Sequence, residues 1–328
     1  MKYLVLGSNS FAGSTFVNEV LFQGEHVVGI SRSDKPNAVL QPYAQNKNLK
    51  NFTFYALDLN KNFSDVKKII SEFKPNYIVD FAAQSMVAES WVYPDQWYTT
   101  NIVAKVRLHD FLRTCDFLER YIRISTPEVY GHVDGKITEA HPFNPTTPYA
   151  VSQAAIDMSL AAFYKQYQFP VIFTRYANFY GPHQQFYRII PKAAIYGILK
   201  KKLPLHGGGV SKRAFIYGTD VATAITASIK NGKLGESYHF STGDCISIAE
   251  LIHKIADSMN VEFNDLVEMS SERPGKDFQY FMSSDKAGNE LRWKPSVPLD
   301  LGIQNTIHWA IKNKEIISQL PHNYIHKP

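Results

Sequence analysis

Short apolar runs alternate with amphipathic segments along the first half of the chain. Tyr3-Leu4-Val5-Leu6 breaks at Gly7, and apolar residues then recur at Phe16, Val17, Val20 and Leu21, the spacing of one helix face. Gly24 stands where that helix should stop, and residues 26–30 form the next apolar run. The alternation repeats: a run at Phe52–Ala56, then Ser64 opening a helix that carries Val66, Ile69, Ile70 and Phe73. Pro75-Asn76 turns into a run at 77–81, and Asn101 opens a helix with Val103, Val106, Leu108 and Leu112. Residues 121–125 are the next run. Thr146 and Thr147 followed by Pro148 start another helix, and Val171–Tyr176 closes the series. Strands apolar on both faces, joined by helices, predict an α/β fold with a parallel sheet covered on two sides.

Beyond residue 176 the texture changes. Asn178-Phe179-Tyr180-Gly181-Pro182 reads as a loop, 189–199 as a short helix, 214–217 as a strand and 303–312 as a closing helix. Lys200-Lys201-Lys202 and Lys212-Arg213 flank the turn Gly207-Gly208-Gly209. A basic surface hairpin and a grip on a diphosphate both fit these lysines, while Arg213 leads directly into an apolar strand. Glu272-Arg273-Pro274-Gly275-Lys276-Asp277 is a second turn bearing an arginine, and the polar tail at the C-terminal end matches no pattern. No repeat or Pro/Ser-rich linker separates the halves, so the expected organisation is interleaved. Residues 1–175 make the first domain, 213–240 return to it, and 176–212 with 241–328 form a smaller second domain.

Composition narrows the class. With 45% hydrophobic and 20% charged residues among 328, the chain reads as soluble and globular. No apolar run approaches the roughly 20 residues of a membrane span, and the N-terminal run is too short for a signal peptide; a cytoplasmic protein with no membrane partner is expected. Cys115 and Cys245 lie far apart, without metal-ligand spacing, so no metal is expected. A dispersed net charge of +5 suits an anionic small molecule and argues against nucleic acid.

The candidate chemistry begins at Gly7-Ser8-Asn9-Ser10-Phe11-Ala12-Gly13, placed between a strand and a helix. Gly7 allows a tight turn and Gly13 a close helix, so that a pyrophosphate can sit on free amides at the helix N-terminus. Ser10 stands where a middle glycine is usual. This setting makes the fold a Rossmann-type doubly wound sheet. At the end of the second strand an acidic residue would bind ribose hydroxyls, but the chain has Ser31-Arg32-Ser33. An arginine with flanking hydroxyls favours a 2′-phosphate, hence NADP over NAD; a solvated loop arginine is the alternative. Asp58-Leu59 follows the third strand, where a carboxylate can meet an adenine amino group. Ala82-Ala83-Gln84-Ser85 follows the fourth, with small residues that let a cofactor pass. Finally, a strand delivering Ser125, Thr126 and Glu128 and a helix delivering Tyr149 in its first turn would converge on one small molecule; ordinary polar residues capping a strand and a helix are the alternative.

Taken together these motifs resemble the extended short-chain dehydrogenase/reductases, and within them the nucleotide-sugar 4,6-dehydratases, dTDP-glucose 4,6-dehydratase-like with some GDP-mannose 4,6-dehydratase-like features. The resemblance covers essentially the whole chain. It rests on the glycine turn, Phe81-Ala82-Ala83-Gln84-Ser85, Ser125-Thr126-Pro127-Glu128-Val129-Tyr130-Gly131, Pro148-Tyr149-Ala150-Val151-Ser152, Arg175-Tyr176-Ala177-Asn178 with Tyr180-Gly181-Pro182, Arg213 with Asp220, and Arg273-Pro274-Gly275 with Leu291-Arg292-Trp293-Lys294-Pro295. It implies NADP or NAD held by Gly7, Ser10, Phe11, Gly13, Ser31, Arg32, Asp58, Leu59, Ala82, Ala83, Gln84, Thr100, Tyr149 and Gln153. It implies a nucleotide-diphosphate hexose held by Ser85, Asn178, Arg188, Arg213 and Arg273, which makes the second domain the nucleotide-sugar-binding one. Hydride leaves C4 of the hexose, with Tyr149 as base and Thr126 bonded to the same oxygen. Glu128 removes the C5 proton, water leaves from C6, and the hydride returns to C6, giving a 4-keto-6-deoxy sugar. The resemblance also implies a homodimer through helices at about 101–114 and 149–167 forming a four-helix bundle.

Two residues depart from the pattern. Pro127 occupies the place of an aspartic acid that protonates the departing hydroxyl in the dTDP-glucose enzymes. Gln153 occupies the lysine position of Tyr-x-x-x-Lys, whose charge lowers the tyrosine pKa and binds the nicotinamide ribose. Two further readings follow: a nucleotide-sugar epimerase or 4-ketoreductase working through Tyr149, and a catalytically silent sugar-nucleotide binding protein.

Overall fold

The computed structural model describes residues 1–133, 135–243, 245–271 and 281–327. Its frame is a seven-stranded parallel sheet formed by β1 (Lys2–Leu6), β2 (His26–Ser31), β3 (Phe52–Ala56), β4 (Tyr77–Asp80), β5 (Arg120–Ser125), β6 (Val171–Tyr176) and β7 (Ser237–Phe240). The spatial order is β7-β6-β5-β4-β1-β2-β3. Strand order therefore reverses between β1 and β4, the crevice where doubly wound sheets bind ligands. The register aligns the carboxyl ends there: Leu6 sits opposite Ile30 and Asp80, and Asp80 opposite Arg123.

Both faces of this sheet are covered, as the unbroken apolar runs require. Helix α1 (Phe11–Phe22) packs against one face with α6 (Gly218–Asn231), burying Phe16, Val17, Val20 and Leu21 with Val221 and Ile225. On the other face lie α2 (Phe63–Phe73), α3 (Ala104–Leu112) and α4 (Pro148–Tyr167), which bury Val66, Ile70, Leu108 and Leu160. A second core forms where α5 (Ile189–Ile198), α7 (Ile248–Met259) and α8 (Leu299–Lys312) pack together around Ile195, Leu251, Ile255 and Ile303. Two short parallel strand pairs, Leu203–His206 with Val267–Ser270 and Asn178–Tyr180 with Phe215–Tyr217, border it.

Two local expectations change. The segment after residue 177 is a short strand rather than a loop: Asn178–Tyr180 pairs with Phe215–Tyr217 before Gly181 turns the chain at φ +146. Helix does not open at Asn101. It starts at Pro94, whose fixed φ suits a first helical position, and runs through a π-helical turn at Thr99–Val103 into α3. Asn101 thus lies inside a helix, at the kind of bulge that often marks functional sites.

Among the described residues no helix is long and apolar enough to cross a membrane, and no cluster of His, Cys, Asp and Glu could hold a metal.

Candidate active site

The glycine turn closes tightly. Gly7 has φ +76, and a Cβ there would press on Ala82 N and Phe81 C at 2.8 Å; a Cβ on Gly13 would overlap the Gly7 carbonyl oxygen. Helix α1 therefore begins directly against β1. Ser10 caps it by accepting from Gly13 N at 3.1 Å, and the remaining first-turn amides are the donors a pyrophosphate takes. This cradle fits a dinucleotide. The Phe11 ring is buried against Gly181 and Gly218, so that residue has its main chain left for the turn.

Around the crevice, Ser31 Oγ accepts from Asn9 N at 3.0 Å and Arg32 Nη2 reaches Gln84 Oε1 at 3.5 Å. Asp58 Oδ1 accepts from Asn60 N at 2.7 Å, shaping the turn after β3, and Leu59 is buried with the α2 core. Ala82 N donates to Asp80 Oδ1 at 3.1 Å, which fixes the small-residue path of Ala82 and Ala83. Asn101 then clamps the next residue from both sides. Its Oδ1 accepts from Gln84 N at 2.8 Å, and its Nδ2 donates to Gln84 O at 3.0 Å and to Ser152 Oγ at 2.9 Å. The π-helical turn thereby ties the loop after β4 to the first turn of α4. Thr100 Oγ1, beside it, accepts from Asn60 Nδ2 at 3.1 Å.

The end of β5 and the start of α4 bring Thr126, Glu128 and Tyr149 near one another. Thr126 follows β5 and caps the 3₁₀ turn Pro127–Tyr130, accepting from Glu128 N at 3.3 Å. Proline suits the first position of that turn, where an N–H would lack an acceptor. Thr147 caps α4 by accepting from Ala150 N at 3.1 Å, with Pro148 behind it, and so places Tyr149 in the first turn. Thr126 acts on the Tyr149 phenol as a hydrogen-bonding neighbour. Burial, and then the negative charge of Glu128, push its phenol above the ordinary tyrosine value; Thr126, Arg123 and Arg188 act in the opposite sense.

Beneath this trio lies a buried ionic cluster that the sequence reading missed. Asp80, Lys105, Arg123, Asp157 and Arg175 are each at most 2% exposed. Lys105 Nζ pairs with Asp80, which also accepts from Tyr121 OH at 2.5 Å. Burial pushes the Asp80 carboxyl up, but the charges of Lys105 and Arg123 outweigh it and hold the group below the usual carboxylate range. Asp157, one turn past Gln153 on α4, accepts from Arg123 Nε at 3.0 Å, Arg175 Nη2 at 2.7 Å and Ser125 Oγ at 2.6 Å. Arg123 Nη1 donates to Ile124 O at 2.8 Å, and its Nη2 donates to Gln153 Oε1. A charged residue in the middle of the run Tyr121-Ile122-Arg123-Ile124 was the available signal, because such a residue is buried only when paired.

The substrate residues expected from the sequence are more dispersed. Ser85 is exposed just past Gln84. Asn178 Nδ2 donates to Ala214 O at 3.3 Å, and Arg213 Nη1 to Lys212 O at 2.7 Å in a strand pairing with Ile246–Ser247. Arg188 immediately precedes α5, its guanidinium 5.3 Å from the Tyr187 ring centre. Arg273 lies outside the described residues. The polar tail has a definite course. Asn323 accepts from Lys192 beside α5, and His326 stacks 5.2 Å from Tyr93 and 5.6 Å from Trp97. Lys327 O accepts from Gln84 Nε2 at 2.9 Å, and Lys327 Nζ donates to Ser33 Oγ at 3.2 Å.

Known proteins share this fold and much of this sequence. A family profile described as GDP-mannose 4,6 dehydratase matches residues 4–306. A human relative, dTDP-D-glucose 4,6-dehydratase, is 31% identical over 321 residues, which cover 95% of this chain and 90% of the relative. The crystal structure of dTDP-glucose 4,6-dehydratase from Streptomyces venezuelae, with NAD and TYD bound, is 27% identical. It superposes with a TM-score of 0.88 over 96% of this chain and 98% of that one. The dTDP-glucose 4,6-dehydratase of Bacillus anthracis, in complex with NAD, is 30% identical with a TM-score of 0.86, covering 96% and 98%.

Proposed function

The chain belongs to the family described by the GDP-mannose 4,6 dehydratase profile, and from that premise we propose that it is a nucleotide-diphosphate-hexose 4,6-dehydratase, a lyase. The observation that carries this reading is Glu128. The 3₁₀ turn after Thr126 sets a carboxylate close enough to Tyr149 for its charge to act on the phenol. An epimerase or ketoreductase needs no carboxylate beside that threonine; removal of a C5 proton does.

A nicotinamide bound at the crevice would supply the hydride chemistry for oxidation at C4 and reduction at C6, with no net change in the cofactor. Gly7, Ser10, the Phe11 main chain and Gly13 hold the pyrophosphate; Asp58, Leu59, Ala82, Ala83, Gln84 and Thr100 line the path of the dinucleotide. Tyr149 takes the C4 hydroxyl proton while Thr126 orients that oxygen, and Glu128 takes the C5 proton. Pro127 has no proton to give, so Glu128 also serves the departing C6 hydroxyl. Ser85, Asn178, Arg188, Arg213 and Arg273 hold the nucleotide sugar. Arg32, with Ser31 and with Lys327 anchored on Ser33, favours NADP through the 2′-phosphate; a tighter dissociation constant for NADP than for NAD, lost in Arg32→Ala, is the expected result. Residues 1–175 with 213–240 serve the dinucleotide, and 176–212 with 241–328 the nucleotide sugar.

Exposed Tyr98, Val103, Val151 and Met158, on the helical stretch from Pro94 and on α4, support a homodimer through a four-helix bundle. The product's chemistry, a 4-keto-6-deoxy sugar nucleotide, suits cytoplasmic supply of deoxysugars for cell-surface polysaccharide. Mass spectrometry after incubation with dTDP-, GDP-, UDP- and CDP-hexoses tests the reading. Loss of one water from one of them is expected; conversion at unchanged mass would replace it with epimerisation, and no conversion across the panel would replace it with silent binding.

A further inference from the structure

The lysine position of Tyr-x-x-x-Lys is Gln153, and the structure contains a cation that the helix lacks. We propose that Arg123, acting through Gln153, supplies from β5 the positive charge and the oriented donors that a helix lysine would supply beside Tyr149. The inference rests on the dehydratase reading for the role of Tyr149, and on geometry for the rest.

Three observations carry it. The first is connectivity. Arg123 spends Nε on Asp157 at 3.0 Å and Nη1 on Ile124 O at 2.8 Å, and its Nη2 donates to Gln153 Oε1. A guanidinium only donates, so the amide cannot flip: Oε1 faces Arg123 and Nε2 faces away. Gln153 is 2% exposed, and its Nε2 donates to no described residue. Two N–H donors are thus held on the helix face that carries Tyr149 one turn earlier, where an ammonium would have stood, and the charge-assisted bond polarises them.

The second observation is the balance of charge. Asp80, Lys105, Arg123, Asp157 and Arg175 amount to three cations and two carboxylates, all buried. A surplus buried cation is costly unless an anion lies close, and a Tyr149 phenolate is the anion that the chemistry creates next to it. The third is that this charge reaches its target. The groups acting on Tyr149 are Glu128, which raises its pKa, and Thr126, Arg123 and Arg188, which lower it. Arg123 sits on the strand behind, Arg188 immediately precedes α5, and Thr126 and Glu128 come from the end of β5 and the turn after it.

The test is a charge swap read by two measurements besides turnover: the cofactor dissociation constant from calorimetry, and thermal unfolding. Gln153→Lys sets a second cation against Arg123. It should lower the unfolding midpoint and weaken cofactor binding about tenfold, the effect of about one pKa unit's worth of repulsion. Arg123→Gln combined with Gln153→Lys moves the charge back to the helix and should restore both toward wild type. Gln153→Glu keeps the bond to Arg123, and so should fold as stably as wild type. It removes the donors and cancels the surplus charge, so cofactor affinity should fall about tenfold and the acid limb of the kcat profile should move up by about one pH unit. A purely structural glutamine predicts no change in affinity for Gln153→Glu. That result, or a Gln153→Lys enzyme that binds cofactor more tightly than wild type while Arg123 is intact, overturns the proposal. If the double variant does not fold, the Gln153→Glu affinity alone decides. Because affinity is measured without sugar, failure of the dehydratase reading appears separately, as absence of water loss from every nucleotide sugar.

Discussion

Replacing Lys105 with methionine isolates the other half of the buried cluster. Asp80 accepts from Lys105, from Tyr121 OH at 2.5 Å and from Ala82 N at 3.1 Å, and both members of the pair are 1% exposed. Methionine keeps most of the volume and removes the ammonium. A buried carboxylate that loses its partner costs about 3–5 kcal/mol. Arg123 still acts on Asp80, so a loss near about 3 kcal/mol is expected at pH about 8. The pH dependence is the sharper reading. In the wild type the Asp80 carboxyl lies below its ordinary value. Its contribution is therefore complete above the unfolded pKa of about 3.9 and fades only as pH falls through the folded value. In Lys105→Met the folded value rises above the unfolded one, the native state binds the extra proton, and stability declines as pH climbs. The gap between variant and wild type should then shrink on acidification by up to about 1.4 kcal/mol per pH unit. Urea unfolding followed by circular dichroism at several pH values measures both. A loss under about 1 kcal/mol, or a gap that does not change with pH, refutes the reasoning, since a neutral or solvated Asp80 would behave in that way.

Gly13→Ala forces a methyl into the Gly7 carbonyl. An overpacking cost of about 1–3 kcal/mol, felt at the pyrophosphate cradle, should weaken cofactor binding by about ten- to a hundredfold, read by calorimetry. Glu128→Gln should cut dehydration by about 10²–10⁴-fold while leaving cofactor affinity in place, read by product mass and calorimetry on one preparation. Burial pushes His109 down to about 3, and His239 likewise. The unfolded chain takes up those protons first, below about pH 6.5, so each histidine costs the native state up to about 1.4 kcal/mol per pH unit on the way down. His109→Gln should remove one share of that acid slope in urea titrations, and an unchanged slope would mean that the imidazole is already protonated in the fold.

How much of this was legible depends on how local each signal is. The first six strands of the sheet announced themselves as apolar runs, and the glycine turn announced its own packing. Strand Ser237–Phe240 did not. It is four residues long with His239 at its centre, and that histidine is tolerated because Tyr130 OH meets its Nε2 at 2.7 Å. The helix opening at Pro94 was hidden because Asp95, Gln96, Thr99 and Thr100 break the apolar spacing ahead of the π-helical turn. The trio of Thr126, Glu128 and Tyr149 could be read because each sits at a strand end or a helix start. The Arg123–Gln153–Asp157 contact could not. Its partners are 30 and 34 positions apart in sequence, and nothing local says which helix turn will lie over which strand residue. Pro127 looked like a lost acid in one dimension; in three it is a first-position residue of a capped 3₁₀ turn.

The tail at residues 321–327 gives the molecule a built-in optical reporter. Trp97 is fully buried and lies stacked with His326 at an interplanar angle of 9°. The same tail holds Gln84 through the Lys327 carbonyl. Any event that lifts this strap from the crevice must unstack the imidazole from the indole, so Trp97 emission follows the docking of the tail without an added label.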